Sequence, residues 1–312
     1  MRVLALHADV VVAVSRVWQT TCTAVRAGSE GFVIDSPVYP DELQALCSVL
    51  EQAELPVSGL LATHADWDHL LGRIAFPGAP LGAGETTAYR LAAEPGAAQR
   101  ELRAFDAEHY VHGRPPLALA GIQSLPVPGR LALGDEPELE LHPAEGHTAD
   151  GTAYWMPWLG ILVCGDYLSP VEIPIISSGG SLEGYLATLE RLRGLAEQAE
   201  TIVPGHGGPL TRAQALAVLE EDLAYLRALA AQGIGATLPS GRRSPTQRRI
   251  HGENARQIRT LLRTRRPQAR RHQIQASSGE DSEDARRCFS WLPYGIIGRV
   301  NGTHADPGPA FG

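Results

Sequence analysis

The chain contains no lysine; all 27 of its basic residues are arginine. That excludes a lysine nucleophile or a lysine anchor for substrate. With alanine and glycine abundant, the bias looks like GC-rich coding rather than a binding signature. Cysteine is scarce as well. Cys22, Cys47, Cys164 and Cys288 form no CxxC pair and no framework spacing, which fits buried thiols in a reducing cytosol, so a cytoplasmic location is expected. No stretch reaches the roughly 18 apolar residues of a membrane span, and no membrane partner is expected. Arg2 and an apolar run open the chain, but His7 and Asp9 interrupt it, and it reads as a strand rather than a signal peptide. There is no Gly-rich phosphate loop, no G-x-S-x-G nucleophile elbow and no repeat of 20–50 residues.

What is present is a chain of 312 residues, 44% hydrophobic, long enough to bury a large core. Its net charge of −8 is uneven. Residues 242–312 hold 14 arginines against 6 acids, whereas residues 1–241 hold 13 against 29. An acidic body disfavours nucleic acid as a partner and leaves a small-molecule substrate as the expectation.

The chemistry concentrates in Thr63-His64-Ala65-Asp66-Trp67-Asp68-His69. Four metal-capable side chains, His64, Asp66, Asp68 and His69, fall within six residues. The apolar run Gly59 to Thr63 feeds into them as a buried strand, so the cluster lies at a strand's C-terminal end, where α/β proteins place their sites. Imidazole and carboxylate suit zinc, iron or manganese. The bland alternative is a polar turn with Asp66 or Asp68 as a helix cap and solvated histidines. Three later spots weigh against it: Gly146-His147-Thr148, Cys164-Gly165-Asp166 and Pro204-Gly205-His206-Gly207. Each sets one metal-capable residue beside glycine at the edge of an apolar run.

In these motifs, from about Val10 to about Leu229, the chain resembles the metallo-β-lactamase superfamily, whose pattern is T-H-x-H-x-D-H, then G-H-T, G-D and P-G-H. The resemblance implies an α/β fold, a four-layer αββα sandwich of two pseudo-symmetric halves. It implies that His64 and His147 bind a first metal, that Asp68, His69 and His206 bind a second, and that Asp166 bridges both. Asp66 stands where the family pattern has its second histidine. A carboxylate there still suits a metal, and the flavodiiron branch carries a glutamate at this position. Two divalent ions are expected, zinc first, with iron or manganese more plausible than in an all-histidine set because of Asp66. The turn after His147 is one residue longer than the family's G-H-T-P-G, and Asp150 within it reads as exposed in preference to a support for the ligands. Asp35, closing the strand Gly31 to Asp35, reads equally as a support for the ligands or as a plain Asx-turn.

Along the chain, Val3 to Leu6 and Val10 to Val14 read as a hairpin, and Arg16 to Val25 as a further strand. Asp41 to Ala53 has helical spacing. Gly82 to Ala93 reads as strand end, turn and helix, whereas residues 94–121, rich in Pro, Gly and Arg, read as irregular. Strands follow at Glu138 to His142, Thr152 to Met156 and Ile161 to Cys164. Ser181 caps one helix, and capping boxes at Thr211 and Ser244 open two more. The expected organisation is a catalytic domain over 1–240, a basic helix over 241–264 and a disordered tail over 265–312.

The leading functional expectation is a binuclear metal-dependent hydrolase. A metal-bridging hydroxide would attack an ester, thioester, lactone or related acyl bond, with Asp68 orienting the nucleophile or accepting its proton. The alternatives are a di-iron redox enzyme, prompted by Asp66, and a single-metal or non-catalytic binding protein.

Overall fold

Successive residues of the valine-rich strands face opposite cores, and that alternation builds the layers. The computed structural model describes residues 1–132 and 137–260, which belong to one compact unit, Met1–Thr264. Seven strands form the first sheet in chain order: β1 (Arg2–His7), β2 (Val10–Val14), β3 (Thr21–Ala27), β4 (Glu30–Asp35), β5 (Gly59–Ala62), β6 (Leu81–Gly84) and β7 (Gln123–Leu125). The first four pair antiparallel; from β4 onward the pairing is parallel. Parallel pairing requires crossovers, and these carry α1 (Pro40–Gln52), α2 (Gly72–Ala75), α3 (Glu85–Ala93) and α4 (Ala97–Glu108).

The second sheet holds β8 (Gly129–Ala132), β9 (Glu138–Pro143), β10 (Thr152–Met156), β11 (Ile161–Val163), β12 (Thr201–Val203) and β13 (Leu210–Thr211), in the order β13-β12-β11-β10-β9-β8. Helix α5 (Leu182–Ala196) crosses from β11 to the parallel β12. Helix α6 (Arg212–Gln232) follows β13, and α7 covers 245–260. Ser181 caps α5 by accepting from the Gly184 amide, and Thr211 with Gln214 forms the capping box of α6, as their spacings predict.

Val10, Val12 and Val14 face the second sheet, where they meet Leu139, Leu141, Tyr154 and Met156. Val11, Ala13 and Ala24 face the other way, beneath Leu43, Leu46 and Leu50 of α1. Beyond the second sheet, Ala153, Trp155 and Leu162 pack under Leu189 of α5 and Leu219 and Leu226 of α6. Three apolar interfaces thus separate four layers, the αββα sandwich that the resemblance implies. Among the described residues no helix is long and apolar enough to cross a membrane.

Two stretches correct the sequence reading. Residues 94–121 are not irregular throughout, because α4 runs through them. Gly96, at φ 77°, sets its N-cap, and Ala98, Leu102 and Phe105 make its buried stripe. Pro and Gly flank this helix rather than break it. The strand read from Arg16 starts only at Thr21, because Trp18 and Gln19 take left-handed backbone at φ 52° and 53°. The capping box at Ser244 is half made. The Gln247 amide donates to Ser244 Oγ, but the Gln247 side chain instead accepts from the Ile173 amide at 2.7 Å. Residues beyond 260, including Cys288, the end of the basic helix and the expected tail, lie outside the described residues.

Arg242 ties the segment before α7 to the body. Its Nη1 donates to the carbonyls of Ser169 and Glu172 and to Asp222 Oδ1 at 2.6 Å. Both side chains are 2% exposed. Arg242→Ala should therefore destabilise the fold by about 3–5 kcal/mol, since it strands a buried carboxylate. Burial pushes the Asp222 carboxyl up to about 7 against the pull of Arg242. A carboxyl raised on folding costs stability above its folded pKa, and the cost fades as pH falls through that value. Urea unfolding should accordingly show a larger loss in the variant at pH 8 than at pH 5. Equal losses would count against a buried charge as the cause.

Candidate metal centre

Four connections leave the strands at one end of the sandwich: His64 follows β5, His147 follows β9, Asp166 follows β11 and His206 follows β12. The two sheets are stitched at this end. The Thr21 amide donates to the Gly205 carbonyl at 2.8 Å, and Thr21 Oγ1 donates to Pro204 O at 2.6 Å. The Thr152 amide donates to Thr63 O at 2.7 Å, and Tyr154 Oη donates to Ala62 O at 2.8 Å. Loops from different sheets are thereby held at fixed separation. Close approach needs small residues. A Cβ on Gly205 would collide with Asp166 Oδ1, and one on Gly146, at φ 126°, would strike the Tyr185 backbone.

All seven sequence-read candidates converge here. His64, Asp66 and His147 offer ligand atoms within 4.8 Å of one another, and so do Asp68, His69 and His206. Asp166 lies between the two groups. Its Oδ2 is 3.7 Å from Nε2 of His64 and 3.3 Å from Nε2 of both His147 and His206. Its Oδ1 is 3.2 Å from Nε2 of His69. Asp68 Oδ2 stands 3.7 Å from Nε2 of His69 and of His206.

Each imidazole is aimed by its other nitrogen. His69 Nδ1 pairs with Asp35 Oδ2 at 2.9 Å. His147 Nδ1 donates to the Ile175 carbonyl at 2.8 Å, and His206 Nδ1 to the Trp18 carbonyl at 3.1 Å. Thr63 Oγ1 donates to Asp35 Oδ2, so its lone pair is left to accept from His64 Nδ1 at 3.0 Å. A proton held on Nδ1 leaves Nε2 of a neutral ring as a bare lone pair pointing inward, the arrangement that metal-binding histidines use. Asp35 thus braces Thr63 and the candidate ligand His69 rather than forming an Asx-turn. It takes φ 58° to place one carboxylate against the Thr63 amide, the Thr63 hydroxyl and His69.

The donor set fits divalent metal. Nε2 of His64, His69 and His147 and Oδ1 of Asp166 are buried without a hydrogen-bond partner among the described residues. Native interiors rarely leave such atoms unpaired. The field also calls for positive charge. Burial opposes a charge on His147, but Asp66 and Asp166 prevail and push it up to about 9. Burial likewise yields to Asp166 and Glu172 at His206, which rises to about 10. His69 is held well above its ordinary value against burial by Asp68, Asp166 and Asp35. Against the same burial, the imidazoles keep Asp66 and Asp166 well below the usual carboxylate range. Carboxylates that raise His69, His147 and His206 against burial make a field suited to a cation.

The bland reading of a capped polar turn does not hold. Asp66 occupies the cap position of the short 3-10 turn Trp67–His69 but makes no capping hydrogen bond. Asp150 corrects the reading as exposed: it is 1% exposed. Its Oδ2 accepts from the Ala65 amide at 2.8 Å, and its Oδ1 accepts from Arg90 Nη1 at 2.9 Å. The same Nη1 lies 2.9 Å from Asp66 Oδ1. Arg90 carries no motif signal in the sequence. Neither do Tyr167, whose hydroxyl accepts from the His147 amide, nor the carbonyls of Trp18 and Ile175. Glu85 begins α3 and is exposed, as a helix N-terminal acid would be. His109 is exposed too, stacked on Phe105 at 4.1 Å. Beside Ala65 and Arg90 opens a cavity of about 180 Å³, walled by Leu91, Pro95, Leu119 and the carboxylates Glu94 and Glu101. Burial, then Asp66, raises the Glu101 carboxyl, which marks its proximity to the centre.

Among solved structures, the metallo-beta-lactamase family protein TTHA1429 from Thermus thermophilus superposes with a TM-score of 0.60 at 20% identity, over 84% of this chain and 95% of that one. The DIM-1 metallo-beta-lactamase matches with a TM-score of 0.51 at 16% identity, over 70% and 94%. TMB-1 matches with a TM-score of 0.51 at 19% identity, over 70% and 95%. At these identities the likeness is one of fold. No curated protein sequence matches significantly. Residues 15–206 match the family model of the metallo-beta-lactamase superfamily. That span is more than half of the chain and holds every one of the converging candidate residues, from His64 to His206, so the chain belongs to the metallo-beta-lactamase superfamily.

Proposed function

We propose that the chain is a binuclear metal-dependent hydrolase of an acyl-type bond, an ester, thioester, lactone or related group. Superfamily membership supports a metal-dependent hydrolase with divalent metal. The observation that carries the reading is the convergence of inward-facing Nε2 atoms on Asp166, with Asp66 beside one pair and Asp68 beside the other. His64, Asp66 and His147 would hold one ion, Asp68, His69 and His206 the other, and Asp166 both. When bound, such ions supply Lewis acidity and activate water at neutral pH.

The chain's own groups do the rest. Asp68 sets a carboxylate oxygen against the second group, where it can orient the nucleophile and take up its proton. Asp35, Ile175 and Trp18 keep the imidazoles from turning. The cavity beside Ala65 suits a small molecule, and the acidic walls at Glu94 and Glu101 disfavour a polyanion. The free thiols of Cys22, Cys47 and Cys164 support a reducing, cytoplasmic setting.

Metal content per chain, measured by mass spectrometry on protein purified without chelator, should be about two zinc or manganese ions. Two irons would move the redox alternative forward. One ion or none after reconstitution would overturn the binuclear reading. In a screen of esters, thioesters and lactones, chelator should abolish turnover and added metal should restore it. Asp68→Ala should lower kcat by about 10²–10⁴-fold; a variant as active as the parent would sink the proposed role of Asp68.

A further inference from the structure

The replacement of an imidazole by a carboxylate at Asp66 does not stand alone. Arg90, on α3, reaches across to Asp66 Oδ1 at 2.9 Å, while Asp66 Oδ2 faces inward, 3.6 Å from His64 Nε2 and 3.5 Å from His147 Nε2. The carboxylate is thus divided, one oxygen to the guanidinium and one to the metal centre. Arg90 is itself held. Its Nη1 is shared with Asp150 Oδ1 at 2.9 Å, and the other oxygen of Asp150 accepts the amide of Ala65, the residue between His64 and Asp66. Asp150 is buried, and Arg90 and Asp66 are about a fifth to a quarter exposed.

We infer that Arg90 is a positioning residue for the first metal site, clamping Asp66 as a one-oxygen ligand and offsetting part of the charge that this carboxylate brings. The inference rests on the metal reading above. Without Arg90, Asp66 and Asp150, whose Oδ1 atoms each lie 2.9 Å from the same Nη1, would be neighbouring carboxylates with no cation between them, and like charges repel. Asp66 would then turn its inner oxygen away from the site or take the ion through both oxygens. An aspartate at this position therefore works as a ligand only with its cation in place. Among the described residues no arginine pairs with Asp68, His69 or His206, so the effect of Arg90 is confined to one of the two sites.

The test is a titration of zinc alone, in competition with a chromophoric chelator, into metal-stripped full-length chain. The parent should show two sites. Arg90→Met should weaken one of them roughly 10–100-fold, the usual loss on removing a group that orients a ligand, and leave the other unchanged. Arg90→Lys, which keeps the cation, should lose less. Asp66→His in the Arg90→Met background should regain affinity at the weakened site, because a neutral imidazole needs no counter-charge. The inference is overturned if Arg90→Met keeps both affinities, if both sites weaken equally in step with a lower unfolding midpoint, or if Arg90→Lys falls as far as Arg90→Met. Fewer than two sites in the parent would overturn the binuclear reading itself, and this inference with it. Two parental sites with an unaffected Arg90→Met would overturn this inference alone.

Discussion

The Asp166 carboxylate lies within 3.2–3.7 Å of Nε2 on four histidines that reach it from both sheets. Everything at this end of the sandwich follows from keeping that constellation together. Buried carboxylates and unpaired imidazole lone pairs are costly without a cation, so a fold that gathers them must hold them against their own repulsion. The holding is done by short hydrogen bonds between loops of different sheets. Thr21 takes the Pro204-Gly205 turn, and Tyr154 and Thr152 take the end of β5. The valine-rich interface between the sheets sets the distance that these bonds then fix.

The second ring of contacts reaches deep into the molecule. His206 depends on the carbonyl of Trp18, and Trp18 is wedged against Trp67 and Phe105, the latter on α4. His147 depends on the carbonyl of Ile175. Its neighbours Pro174 and Ile176 are bonded by Asn254, and Ile173 by Gln247, both on α7. The helix that follows the sandwich therefore hydrogen-bonds the loop whose carbonyl holds the His147 ring.

Asp66 departs from the family's histidine pattern, and its surroundings answer its charge. In the family pattern a neutral histidine needs no counter-charge. Here the carboxylate is met by Arg90, and Arg90 by Asp150, whose far oxygen returns to the backbone beside His64. These contacts link Asp66, Arg90, Asp150 and the Ala65 amide in a closed ring.

The chain's sequence was enough to place the strands that feed the site, the four ligand motifs and their order, because local alternation and glycine-flanked polar residues leave a record in neighbouring positions. Ser181, Thr211 and the run into His64 were legible for the same reason: a cap or a strand end is decided within a few residues. Helix α4 was masked by its flanking Pro and Gly and by a buried stripe of only Ala98, Leu102 and Phe105. The left-handed turn at Trp18 and Gln19 was hidden because its cause is distant, a pairing with the His206 loop nearly 190 positions along the chain. Asp150 looked exposed because its partners, Ala65 and Arg90, lie 85 and 60 residues away. Which residues could bind metal was therefore written locally. Which groups aim those residues, and which cation answers Asp66, was decided only when tertiary packing brought remote carbonyls and side chains within hydrogen-bonding range.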